Sequence, residues 1–413
     1  MLILVAAIAV AGGAALARRH VVIGLVTLTG LLPVIVNMVL LPRYGSNIAV
    51  LFALGSAALI VGGILPSVRT PGYEKRKGLG DVDWDTFATA LALFVIAGTV
   101  VHFAIGGVPL MSSNVEIARF DITASGLFGV PGRIYLFGIP LALAACLRAE
   151  RVSDKDAFSS WQTRLILITF AVSRILSGFK SGLVEVVVTT LIVYFASGHS
   201  INRKHLLQFL AAFGVALAFG FAVGATYNTY RERGLMAALV DRISFQTSDP
   251  AAVVLAHADF HDFGSNSIVV DAAYFTNRYF HIGDQQPFSF SQIVSSRVTG
   301  TPLSPDRYFV PVTTTAIAEQ IYDFGIPLAC VTLALTGYIM NSAERLARRV
   351  VKPHTFLMAV TIVLGAFEYV SKGGLVYAIY NWTTVCLLLI AIAAVANVVL
   401  LGSPRNQTSI SRA

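Results

Sequence analysis

Glu319, Tyr322 and Asp323 stand at i, i+3 and i+4, so they share one face of a helix. They open an apolar run that reaches residue 340, which places two carboxylates close to a membrane–water boundary. A charge there is costly unless it is wet or paired, and so suggests a site. Glu319 suits acid/base work on a hydroxyl, and Tyr322 suits a contact to that hydroxyl.

Ahead of that face lie 87 residues of mixed polarity, Thr229 to Thr315, with six arginines, no lysine, three histidines and twelve aromatics. Arg278, Tyr279 and His281 sit together in the run Tyr274-Phe275-Thr276-Asn277-Arg278-Tyr279-Phe280-His281, with Arg297 and Arg307 further on. Aromatic faces suit sugar rings, and the planar guanidinium fork suits phosphate oxygens. Eight acids accompany the six arginines, so this is not an indiscriminate basic patch. The arginines either grip an external phosphate or pair with those acids to hold the segment together. His257 and His261, at i and i+4 beside Asp259 and Asp262, could be metal ligands, but no third-ligand pattern accompanies them. Equally open are His261 as a general base, a sugar-hydroxyl contact, or ordinary loop histidines. No metal and no cofactor is assigned.

Two shorter stretches add cations. In Gly107–Gly132, Gly-Gly and Pro109 break a helix, and Ser113 or Asn114 can cap a new one. That helix carries Glu116 and Arg119 on one face, either as a weak surface ion pair or with Arg119 aimed at a phosphate. The junction Ser173-Arg174-Ile175-Leu176-Ser177-Gly178-Phe179-Lys180-Ser181-Gly182 puts Lys180 just before a helix start, where backbone N–H groups favour an anion. The alternative for Lys180 and Arg174 is a snorkelling anchor, with Glu185 as the partner for either.

The elements that must position these residues are membrane helices. The chain has 413 residues, 56% hydrophobic and only 13% charged, against about 25% charged in a soluble domain. Apolar runs predict an all-α polytopic membrane protein with about eleven transmembrane helices, over 2–17, 21–41, 46–65, 86–106, 133–149, 163–179, 183–199, 206–228, 316–340, 354–371 and 374–401. Alternating amphipathic segments of an outer-membrane barrel are absent. Residues 1–228 thus hold eight spans, interrupted by the external segment 107–132. The large external segment 229–315 follows, opening with an amphipathic helix over Arg231–Ser244. Residues 316–402 supply three more spans, and 403–413 form a tail.

Placing Arg18-Arg19 inside puts 18 of the 30 basic residues in inside loops, each with at least two. The positive-inside rule is then satisfied along the whole chain, with the N-terminus outside and the C-terminus inside. The net charge of +8 therefore reflects topology and not nucleic-acid binding. Cys146, Cys330 and Cys386 all lie in apolar segments and read as small hydrophobes. Residues 2–17 end in Ala15-Leu16-Ala17 but lack a basic lead and are followed at once by Arg18-Arg19, so they read as a retained helix and not a cleaved signal. A phosphate-binding GxxxxGK[ST] loop is missing, which excludes an ATP-driven pump of that type. No inverted pair of Gly/Pro-broken helices is found, which counts against a secondary transporter.

The run Gly107-Val108-Pro109-Leu110-Met111-Ser112 leading to Glu116 and Arg119, the junction Ser177-Gly178-Phe179-Lys180, the large external segment, and Thr314 to Gly325 together resemble the oligosaccharide repeat-unit polymerase family, of the O-antigen polymerase type. The resemblance implies an inner-membrane glycosyltransferase with the helical architecture of lipid-linked-donor (GT-C-like) enzymes. It implies that repeat units on undecaprenyl pyrophosphate are joined in the outer leaflet, without metal, alongside a flippase and a chain-length regulator. On this reading Arg119, Lys180, Arg278 and Arg297 hold the pyrophosphate, Tyr322, Tyr279 and His281 the sugars, and Glu319 or His261 the acceptor hydroxyl. Lys180 stands where many relatives carry Arg, which keeps the charge and loses the fork. An O-antigen ligase shares this donor chemistry. A flippase or exporter of the same lipids is the non-enzymatic alternative.

Overall fold

The computed structural model describes residues 2–17, 20–40, 45–66, 83–112, 115, 118, 129–178, 182–225, 248–257, 265–280, 288–304, 312–350 and 352–401. Among them are helices and no strand. In chain order these are α1 (Leu2–Ala17), α2 (Val21–Val39), α3 (Ser46–Ile64), α4 (Trp84–Gly106), α5 (Val130–Val152), α6 (Trp161–Leu176), α7 (Gly182–Ala196) and α8 (Arg203–Ala225). Then come α9 (Asp249–Ala256), α10 (Ser267–Phe280), α11 (Phe290–Thr299), α12 (Ala316–Arg349), α13 (Pro353–Lys372) and α14 (Leu375–Leu401). α2 and α5 each contain a π-helical stretch, Val26–Leu31 and Ile134–Gly138.

The chain is an all-α membrane protein. Helices stand at all eleven expected positions, and seven of them, α2 to α5 and α12 to α14, are long and apolar enough to cross a bilayer. α1, α6 and α7 are only 15–16 residues long, and α6 carries Arg164 and Arg174. α9, α10 and α11 show that the segment 229–315 carries helices. The expected amphipathic helix over 231–244 lies outside the described residues.

The chain divides into two compact units. The first comprises Met1–Arg69, Gly224–Glu344 and Ile362–Tyr380; the second comprises Thr70–Val223, Arg345–Thr361 and Asn381–Ala413. In the first, α3 and α12 touch backbone to backbone: a Cβ added at Gly62 would collide with Ala334, and one at Gly337 with Leu59. Small residues allow this approach where lipid gives no hydrophobic drive. α9 packs on α3 and α11, and α10 on α11. In the second unit α5 is the core. Its residues Ile139 to Leu147 are nearly all sealed, covered by α4, α6 and α7.

Local sequence sets the helix ends. Asp83 caps α4 by accepting from the Asp85 N–H at 3.1 Å, and Gly107, at φ 79°, ends it. Ser160 caps α6 through the Thr163 N–H. α12 is not one rod. Gly325 has φ 69° and ψ 168°, a conformation open essentially to glycine, and Pro327 follows. The break separates a short piece carrying Glu319, Tyr322 and Asp323 from the long apolar remainder.

Buried acids follow one rule. Among the described residues five are buried, and each accepts from a backbone N–H at or just before the start of a helix. Glu344 takes the Val22 N–H of α2 at 3.1 Å. Glu150 takes the Phe158 and Ser160 N–H groups before α6 at 2.9 and 2.7 Å. Asp323 serves α10, Asp271 serves α11, and Glu319 serves α14. Each closes orphan donors that lipid cannot solvate and meets the positive end of the helix dipole. Arg148 does the converse. Its guanidinium donates to the carbonyls of Ser197 at 3.1 Å, Arg348 at 3.3 Å and Val350 at 2.7 Å, at the C-terminal ends of α7 and α12.

Candidate functional site

The short first piece of α12 is a hub. Asp323 accepts twice from Ser267, from its N–H and its hydroxyl, at 2.6 Å each. Asp271, one turn into α10, accepts the Phe290 N–H at 2.8 Å and so carries α11. The Tyr322 hydroxyl donates to the Ser265 carbonyl at 3.2 Å, and its ring lies 5.4 Å from that of Phe290. Glu319 accepts the Gly374 N–H at 2.9 Å on each oxygen and also the Thr314 hydroxyl. Gln320 donates to the Tyr369 hydroxyl of α13 at 3.0 Å.

The face expected from the i, i+3, i+4 spacing therefore exists, and all three of its side chains are buried. These bonds run to backbone and hydroxyl groups of neighbouring segments. Glu319 is 2% exposed, with both oxygens engaged, so its geometry is that of a positioning residue. What the hub positions is α10 and α11, the helices that carry the expected phosphate and sugar contacts.

Arg297 is on the last turn of α11, exposed, just before Gly300 ends the helix in the left-handed conformation at φ 65°. Arg278 and Tyr279 are on the last turn of α10; only their backbone is described. His281, His261, Arg119 and Lys180 lie outside the described residues. Among the described residues no group of three or more His, Cys, Asp or Glu could hold a metal ion.

Asp271 is the member of the hub that the sequence did not single out. Burial pushes its carboxyl up to about 6, and the nearby charge of Asp323 adds to the rise, while the Phe290 N–H opposes it. It reads in sequence as one acid among eight, and only the pairing with α11 distinguishes it.

In the second unit Arg174 is buried at the end of α6. Glu185 of α7 is its partner at 3.4 Å, as expected. The guanidinium also lies over the rings of Tyr135 at 5.2 Å and Phe170 at 5.5 Å, and Tyr135 stacks on His102 at 4.9 Å. Arg133, a second buried cation, donates to Asn381 at 3.0 Å. The signal available for both was a lone Arg inside or at the edge of an apolar run, but that does not say what it touches.

No family model, curated protein or solved structure matches the chain.

Proposed function

We propose that the protein is a multi-pass glycosyltransferase that polymerises oligosaccharide repeat units carried on undecaprenyl pyrophosphate, at the outer face of the bacterial inner membrane. The observation that carries this reading is the anchoring of the Arg- and aromatic-rich segment. α10 is tied to α12 by Asp323, α11 is tied to α10 by Asp271, and Arg297 is left exposed at the end of α11. A connector needs no such anchoring, and a preorganised cation surface does. The resemblance supplies the reaction class.

In this reaction the acceptor sugar hydroxyl attacks the anomeric carbon of the donor glycan. The new glycosidic bond forms as the bond to the pyrophosphate breaks, and the hydroxyl proton passes to a base. Undecaprenyl pyrophosphate leaves with the negative charge. Arg297 and Arg278, with Arg119 and Lys180 by the resemblance, stabilise that leaving group. By the resemblance, Tyr279 and His281 bind the sugars. The engagement of Glu319 with Gly374 and Thr314 favours His261 over Glu319 as the base.

The test is polymer formation from purified protein and purified repeat-unit donor, with no second protein. Long-chain ladders are expected, with Arg297→Ala or Arg278→Ala leaving only single units. Normal ladders from either variant, or no polymer from the wild type, sink the assignment. A second reading, a flippase of the same lipid-linked sugars, is favoured by the break at Gly325, since discontinuous helices line transport sites. Donor translocation across vesicles without polymer would select it. Transfer to a lipid A core without polymer growth would select the ligase.

A further inference from the structure

Within the second unit, α6, α7 and α8 enclose a cavity of about 930 Å³, at the upper end of what small-ligand sites occupy (roughly 300–1,000 Å³). Its two ends differ in chemistry. Arg164, Lys204, Asn202 and Gln208 line one end, and the other is apolar, with Ala171, Ile175, Leu183 and Val215. From Arg164 to Ile175 is eleven residues of α6, about 16 Å at ~1.5 Å per residue. That is roughly half of a ~30 Å hydrocarbon core, the depth of one leaflet.

Among the described residues, the ring contacts of α8 to the rest of the unit are those of His205 and Phe209, to Tyr194 and Phe158. The Tyr194 hydroxyl also pairs with His205 Nδ1 at 2.9 Å. Beyond this clasp Val215, which lines the cavity, is 66% exposed.

Two features of the lining call for a ligand with a charged head and an apolar chain. Neither Arg164 nor Lys204 forms an ion pair among the described residues. Arg164 spends only its Nε, on the Phe158 carbonyl at 3.0 Å. The rim thus holds two cations against one carboxylate, Asp156. Deeper in, the wall is apolar, with Leu183, Val186 and Val187 of α7 and Ala212 and Val215 of α8.

We infer that this groove binds an anionic phospholipid from the bilayer leaflet at the basic end. Its phosphate lies between Arg164 and Lys204, and one acyl chain runs down the apolar wall. The basic end is the side the positive-inside rule assigns to the cytoplasm, where anionic lipids gather.

The test uses the full-length protein in nanodiscs of equal parts phosphatidylglycerol and phosphatidylcholine with identical chains, followed by native mass spectrometry after extraction. Retention of phosphatidylglycerol in preference to phosphatidylcholine is expected. Arg164→Gln with Lys204→Gln should weaken it on the order of thirtyfold. Ala212→Phe, which fills the groove, should lower retention of both lipids, while Leu207→Phe on the exposed side of α8 should change neither. Equal retention of the two lipids by the wild type, or undiminished phosphatidylglycerol on the double variant, overturns the assignment. So does displacement by soluble glycerol phosphate, which would show a phosphate site without a chain site. The double variant changes surface side chains only, so the outcome does not depend on Ala212→Phe folding.

Discussion

Asp323 and Ser267 meet twice: one carboxylate oxygen takes the serine N–H and the other its hydroxyl, both at 2.6 Å. This pair fastens the first residue of α10 to the short piece of α12 across 56 positions of sequence. Asp323→Ala removes both acceptors and leaves a buried N–H and hydroxyl unmatched, a loss of about 1–3 kcal/mol. The expected result is a lower unfolding temperature in detergent, with faster amide exchange confined at first to Ser267–Phe280. Unchanged exchange in that stretch would show that Asp323 does not hold α10.

Asp271 gives the fold a pH dependence of defined sign. Its carboxyl titrates at about 6 in the fold against 3.8 ordinarily, so the folded state holds the proton more tightly than the unfolded one. The advantage is whole below about pH 4 and is lost as pH rises toward about 6, roughly 2–3 kcal/mol in all. Asp271→Asn keeps an acceptor for the Phe290 N–H and cannot ionise. The variant should match the wild type near pH 4 and exceed it at pH 7 in thermal unfolding. A wild type that gains stability between those values would contradict the assignment.

Arg148 gathers three carbonyls that no other described side chain is shown to satisfy. Arg148→Met should cost about 2–4 kcal/mol, since three helix-terminal acceptors lose their donor in a buried place. Arg148→Lys, with one compact ammonium in place of a fork, should fall between. Denaturation midpoints for the three proteins decide the order.

Gly325 stands in open space: no atom lies within 4 Å of where a Cβ would be. Gly325→Ala is thus penalised by backbone conformation alone, by about 1–3 kcal/mol. The chain can relieve this only by straightening α12, which would swing Glu319 and Asp323 away from their amides. Loss of exchange protection at Ser267 and Gly374 together is the expected signature, and unaltered protection at both would count against it.

The sequence made the membrane helices legible because each is written as a contiguous apolar run. The hub was legible only as a face. Spacing put Glu319, Tyr322 and Asp323 together, but their partners lie at Ser267, Gly374 and Ser265, and no local rule joins positions so far apart. α11 announces itself, with Ser289 and Gln292 forming a capping box, yet it lay inside a stretch read mainly for its arginines. The Gly325-Ile326-Pro327 break was also in plain view. The apolar run continues across it, so hydropathy does not mark it. Arg148 ends an apolar run in sequence, and it is buried because helix ends within the second unit converge on it.

The reach of Glu344 back to Val22 bears on how the protein is made. The two positions are 322 residues apart, so a ribosome adding roughly 5–20 residues per second finishes α2 some 15–65 s before its cap exists. For that interval the first amides of α2 must be satisfied by water, lipid headgroups or the insertion machinery. Glu344 therefore gives the first turn of α2 its buried acceptor only late in synthesis, and a chain truncated before Glu344 should show faster amide exchange at Val22 than the full-length protein.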